Sequence, residues 1–199
     1  MKKNDYQNGG REIMINESRL RDLLVELCST DSESRLERNV ALKLKAEMEA
    51  IGASVEIDGA GEAVGGNTGN VICRIPGNTP GAPPIFLAAH MDTVVPGIGC
   101  SPIVDGDIIR SNGKTVLGGD DKSGCAIITE VCRVMTEQNL PHGDIEVVFT
   151  ICEEVGLLGA KHLDVSRLKS KYGLVLDSDD IGFLFTQAPA QDTMEWTIH

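Results

Sequence analysis

The sequence has no apolar run near the ~18 residues that a membrane helix needs, and no charged-then-apolar leader opens it. It also lacks basic charge: 18 Lys and Arg stand against 30 Asp and Glu, a formal net charge of −12. Phosphate binding needs Lys and Arg in surplus on one face, so this balance argues against a nucleic-acid partner, and nothing suggests a membrane partner. No CxxC pair occurs among Cys28, Cys73, Cys100, Cys125, Cys132 and Cys152, and they form no dense framework. That argues against a thiolate metal site and a disulfide scaffold. Several lie in apolar runs, where a reduced thiol acts as a small hydrophobe. A reducing cytoplasm is the expected setting. Internal repeats and low-complexity stretches are absent.

What is present is the balance of a globular protein, 41% hydrophobic and 24% charged, over 199 residues. That length suffices for one sizeable core, or one domain and the start of a second. Leu20, Leu23, Leu24 and Leu27 mark one face of a first helix, with Asn16 or Ser18 as its cap. Leu36, Val40, Leu44, Met48 and Ile51 predict a second helix, stopped by Gly52. Ala53 to Ile57 and Val71 to Ile75 read as strands around a Gly-rich loop from Gly59 to Asn70. Pro84 to Ala89 is a continuous apolar run, as in a strand buried on both faces, and Ile145 to Cys152 and Tyr172 to Leu176 read as two further buried strands. A hairpin is expected around Asp105-Gly106. A helix follows Asp120-Asp121, with Ile127, Val131, Val134 and Met135 on one side, and a short helix lies between Gly156 and His162. Strands alternating with helices predict an α/β domain with a largely parallel sheet.

Each buried run ends in ligand-type residues: His90 and Asp92 after the first, Glu153 and Glu154 after the second, Asp177 after the third. In an open α/β sheet, ligands bind beyond the carboxyl ends of the strands. Asp120-Asp121, in a Gly-rich loop at a helix start, can reach the same rim. Taken singly, each piece has an ordinary use as a turn, a helix cap or a solvated pair. Together they bring carboxylates and an imidazole toward one pocket with no Lys or Arg among them. Such a cluster is costly unless cations neutralise it. Imidazole plus carboxylate suits zinc, with manganese or cobalt as alternatives. Two ions would need a carboxylate that reaches both.

The stretches Ala89-His90-Met91-Asp92-Thr93-Val94, Leu117-Gly118-Gly119-Asp120-Asp121-Lys122-Ser123-Gly124, Cys152-Glu153-Glu154-Val155-Gly156 and Leu176-Asp177 resemble the successive signatures of the M20 metallopeptidase family. The likeness runs from about Ile15 to the end and is most like the peptidase T-like branch. It implies a three-layer α/β/α catalytic domain with a mostly parallel mixed sheet. Residues 1–14 would be a loose extension, 15–185 the N-terminal part of that domain, and 186–199 the start of a lid or dimerisation domain. It further implies two divalent ions, Zn2+ first and Co2+ or Mn2+ otherwise. His90 and Asp177 would hold one and Glu154 the other, with Asp120 bridging and its bond to Asp121 cis. Asp92 would accept the second ring N–H of His90. Glu153 would be the general base, taking a proton from the attacking water and passing it to the leaving amine.

An Asp at position 177 resembles the aminopeptidases of the family, while Glu is commoner in its carboxypeptidase and deacylase branches. The expected activity is therefore removal of the N-terminal residue of a small peptide. Alternatives are an amidase or deacylase of N-acyl amino acids, or an inactive metal-binding or interaction module. The family pattern continues past residue 199 through the lid, a region that commonly makes homodimers, to a further His ligand. His199 is not read as that ligand. A chain of this length is expected to hold an incomplete site with little turnover.

Overall fold

The structure is a computed structural model that describes residues 7–8, 11–180 and 182–187. Within the expected extension, a short antiparallel pair joins β1 (Gln7–Asn8) to β2 (Arg11–Glu12). Residues 188–199, most of the expected start of a lid or dimerisation domain, lie outside the described residues. Asn16 caps α1 (Glu17–Cys28), its side chain accepting the Arg19 N–H at 3.1 Å. The next helix, α2 (Arg38–Ala50), is followed by Gly52 at φ +95°, a left-handed turn that glycine adopts without strain. Leu36, counted in its apolar stripe, falls before the helix and is half exposed. Strand β3 (Ser54–Ile57) follows, then a short helix α3 (Ala60–Val64) inside the stretch read as loop, then β4 (Val71–Ile75) and β5 (Ile85–His90).

The hairpin β6 (Ile103–Asp105) and β7 (Ile108–Arg110) pairs Asp105 with Ile108, so its turn is Gly106-Asp107, one residue later than read. Gly106, at φ +60°, takes the first central position, where a type II′ turn needs glycine. Then come α4 (Gly119–Glu137), β8 (Ile145–Thr150), α5 (Leu158–Lys161), a 3-10 turn (Val165–Arg167) and β9 (Gly173–Val175).

The main sheet has the order β3-β4-β8-β5-β9. β5 is parallel to both β8 and β9, β4 is antiparallel to β8, and β3 is antiparallel to β4. Every strand but β4 therefore points the same way, the mostly parallel mixed sheet expected of this α/β chain. Register aligns Val71, Cys73 and Ile75 with Phe149, Val147 and Ile145, and sets Leu87 and Ala89 beside them. These side chains pack into one core with Val40, Leu44 and Met48 of α2 and Cys125, Ile128 and Cys132 of α4. Each large apolar side chain so buried contributes about 1.5–3 kcal/mol.

The buried side of α4 differs from the one read: Val134 is buried, but Ile127 and Val131 are exposed and small thiols meet the sheet instead. The opposite sheet face carries a polar row, Glu56, Arg74 and Glu146. Arg74 pairs with Glu56 at 2.8 Å, and buried Glu146 accepts the Lys169 and Ser170 N–H groups at 2.9 and 2.8 Å. Here the cover is the 3-10 turn and the chain after it, rather than long helices. β9 is an edge strand with Tyr172 and Val175 exposed, not the doubly buried strand expected. Among the described residues no helix is long and apolar enough to cross a membrane.

Pairing of His90 with Thr150 and of Ala88 with Val175 brings the C-terminal ends of β5, β8 and β9 level at one rim. The residues just past them must share the same space.

Candidate metal centre

His90 ends β5 with its ring buried. Its Nε2 lies 2.9 Å from Asp120 Oδ1 and 3.9 Å from both Glu153 Oε2 and Asp177 Oδ1. Ligand atoms of His90, Asp120 and Glu154 lie within 4.8 Å of one another, and so do those of His90, Glu153 and Asp177. Every residue read as a ligand or base is thus in one cluster.

The Gly-rich loop delivers the acidic pair. Gly118 is left-handed (φ +73°), and the Asp120–Asp121 bond is cis, as expected. Asp120 stays open to the cleft. Asp121 turns inward, accepting the Gly124 N–H at 3.0 Å and, at 3.4 Å, the His90 N–H. A Cβ at Gly124 would lie 2.4 Å from Asp121 Oδ1 and 2.7 Å from the Leu176 carbonyl, so glycine is what lets α4 approach this closely. A cleft of about 610 Å³ opens beside Asp120, Ser123, Asp177 and Asp179.

Asp92 does more than face the His90 ring. The nearest acceptor to His90 Nδ1 is the Asp92 backbone carbonyl at 3.0 Å, with carboxylate Oδ1 at 3.4 Å. The carboxylate also receives the Glu153 N–H at 2.9 Å, the Glu154 N–H at 3.2 Å and the Ser34 hydroxyl at 2.6 Å. It anchors the backbone that bears both glutamates as well as the histidine ring. Asp92→Ala is expected to leave these donors unpaired, at about 1–3 kcal/mol for each one buried. It should also weaken cation binding by about 10–100-fold. Urea unfolding and Zn2+ titration measure the two losses.

The electrostatics show what the cluster lacks. Burial alone would lower the pKa of His90. The hydrogen bond and charge of Asp92, then Asp177 and Asp120, outweigh burial and raise it to about 10. Burial lifts Asp121 to about 7, with the charge of Asp177 adding to the effect. Glu153, Glu154 and Asp177 are also raised, first by burial and then by the neighbouring carboxylates. Among the described residues, no Lys or Arg pairs with any of them. Zinc–donor bonds of about 2.0–2.2 Å place neighbouring donors roughly 3–4 Å apart, matching the separations here. The donor set therefore fits a divalent cation. The two groupings share His90, and the second places Glu153, read as the base, beside Asp177.

Asp121, Ser34 and Glu37 complete the surroundings and were not read as site residues. Asp121 carried a signal, its place in the pair. Glu37 carried none in the apolar pattern.

Residues 70–193 match the sequence model of peptidase family M28. The uncharacterized protein YqjE of Bacillus subtilis (strain 168) is 41% identical over 179 residues, covering 89% of this chain and 48% of its own length. Aminopeptidase PepT from Bacillus cereus ATCC 10987 superposes with a TM-score of 0.80 at 43% identity, covering 83% of this chain and 44% of that one. A tripeptidase from Staphylococcus aureus subsp. aureus Mu50 gives 0.79 at 41% identity, with the same coverage. The chain thus spans somewhat under half the length of these relatives. It shares the mixed α/β fold of PepT-like peptidases. Since that sequence match takes in more than half of its residues, the chain belongs to peptidase family M28.

Proposed function

We propose that this chain carries the cation-binding part of a peptidase T-like aminopeptidase that removes the N-terminal residue of short peptides. One observation carries the reading: His90, Asp120, Glu153, Glu154 and Asp177 converge at the sheet rim with cation-type spacing and, among the described residues, no basic partner. All four M20-type stretches lie within the M28 match. Within that broader group, the peptidase T-like branch is supported by likeness to an aminopeptidase and a tripeptidase. Two Zn2+ ions are proposed, with Co2+ or Mn2+ able to substitute. His90 and Asp177 would serve one, Glu154 the other, and Asp120 both. Bound there, the cations would supply Lewis acidity toward the scissile carbonyl and stabilise negative charge.

The protein's own residues do the rest. Glu153 lies in the cluster beside His90 and Asp177 with a raised pKa, suited to take a proton from the attacking water and return it to the leaving amine. Asp92 holds the backbone under Glu153 and Glu154, and Asp121 holds that of His90. The six cysteines are buried and unpaired, in keeping with the proposed cytoplasmic setting.

The test offers the Zn2+-loaded full-length gene product three substrates: a free tripeptide, its N-acetylated form and an N-acyl amino acid. The free tripeptide should be cleaved faster than its blocked form by more than about 10²-fold, because a site that pairs with the amine rejects its loss. Preference for the N-acyl amino acid would replace the aminopeptidase reading with the deacylase one.

A further inference from the structure

Strand β8 ends at Thr150, yet the next four amides are all captured by buried side chains from other segments. Asn70 Oδ1 accepts the Ile151 N–H at 3.1 Å, and Glu37 Oε1 accepts the Cys152 N–H at 3.0 Å. The two oxygens of Asp92 accept those of Glu153 and Glu154. Cys152 sits at φ +53°, the left-handed region that a non-glycine residue keeps only where its surroundings hold it. This corner sets the directions in which Glu153 and Glu154 leave the chain.

Glu37 is an odd residue to find there. It is fully buried, and no ion pair among the described residues includes it. Its Oε1 receives the Cys152 N–H, the Cys152 thiol at 3.4 Å and the Arg35 N–H at 2.9 Å. Its Oε2 has no hydrogen-bond partner. Arg35 is itself left-handed, at φ +78°. A buried carboxylate with one empty oxygen and no counter-charge is a poor device for stability. As a strong acceptor it is a good device for holding N–H groups in unusual directions.

We infer that Glu37 is a positioning residue: it clamps the left-handed corner at Cys152 and so aims Glu153 and Glu154 into the cluster. The inference rests on the proposed cation-binding role of that cluster, but its geometric half can be read without metal. Three variants separate the explanations. E37Q keeps an acceptor oxygen, E37A removes it, and E37L fills the space without one.

In the metal-free protein, E37A should speed hydrogen exchange at Cys152, Glu153 and Glu154 by about tenfold or more, leaving the interior amides of β4 and β8 protected. With Co2+ as probe, it should lower affinity by about 10–100-fold and change the visible absorption band. E37Q should restore both. Where E37A does not fold, E37L takes its place with the same expected losses.

A folded E37A or E37L with wild-type Co2+ affinity and spectrum would overturn the assignment. So would exchange rising equally through β4 and β8, which would mean general destabilisation, or an E37Q as damaged as E37A. If the wild-type protein takes up no Co2+, the cation-binding reading falls, and metal-free exchange alone decides whether Glu37 holds the corner.

Discussion

Replacing Glu153 by Gln in the full-length gene product is expected to lower kcat for peptide hydrolysis by about 10²–10⁴-fold, the usual worth of a general base. Zn2+ content and unfolding midpoint should stay at wild-type values. The geometry makes this a sharp choice. Glu153 lies near enough to His90 and Asp177 to be a cation ligand itself, whereas Glu154 falls in with Asp120. The two glutamates are neighbours on one bent corner, so their shared environment does not separate a ligand from a base. Glutamine keeps the size and one acceptor oxygen of Glu153 but cannot take up a proton. A base so altered stops the chemistry and keeps the ions. A ligand so altered loses ions and activity together. Zinc analysis beside steady-state kinetics tells them apart, and a fall in bound zinc that tracks the fall in kcat would move Glu153 from base to ligand.

Much of this site was legible because strands buried on both faces have so little chemistry of their own. The apolar run ending at Ala89 and the buried strand ending near Cys152 lead directly into His90, Asp92, Glu153 and Glu154, and parallel pairing brings those ends together. Asp177 followed from the same logic, although its strand proved to be an exposed edge.

What stayed hidden depends on where backbone N–H groups point. Asp120 and Asp121 are chemically identical; only the folded loop decides that one faces the cleft and the other holds the His90 amide. At the start of α2, apolar periodicity counts Leu36 as core and passes over Glu37, and the structure reverses them. Periodicity registers the gain from burying carbon and is blind to the demand of a distant corner for an acceptor. The same blindness chose Ile127 and Val131 for the inner side of α4, where Cys125, Ile128 and Cys132 are the residues that fit against the sheet.

The metal-free protein should lose stability as pH rises, and zinc should restore more of it at pH 8 than at pH 6. His90 has a folded pKa of about 10 against an ordinary 6.5. Its contribution is therefore complete below pH 6.5 and is lost as pH climbs toward 10. Asp121, raised from 3.8 to about 7, also keeps its proton more tightly when folded, so its contribution fades between those values. Glu153, Glu154 and Asp177 act in the same direction. Asp92 opposes them, but its lowered pKa confines the effect to more acid solution, and buried Lys122, held below its ordinary value by burial, opposes them on the alkaline side.

Over the neutral range, then, Asp121 ionises and repulsion among the carboxylates grows, while the His90 imidazolium, which the folded protein keeps until about pH 10, stabilises it less and less relative to the unfolded chain. Zinc replaces that proton and requires it to leave, so its apparent affinity rises over the same window. At a hundredfold excess over Kd, zinc is worth about 2.7 kcal/mol, or roughly 5–11 °C in Tm for a chain of this size. Thermal unfolding with EDTA or Zn2+ at fixed total metal should show the increment growing from pH 6 to pH 8. In His90→Ala the increment should be small at both values. An increment independent of pH in the wild-type protein, or one that survives loss of His90, would mean that zinc binds somewhere other than this cluster.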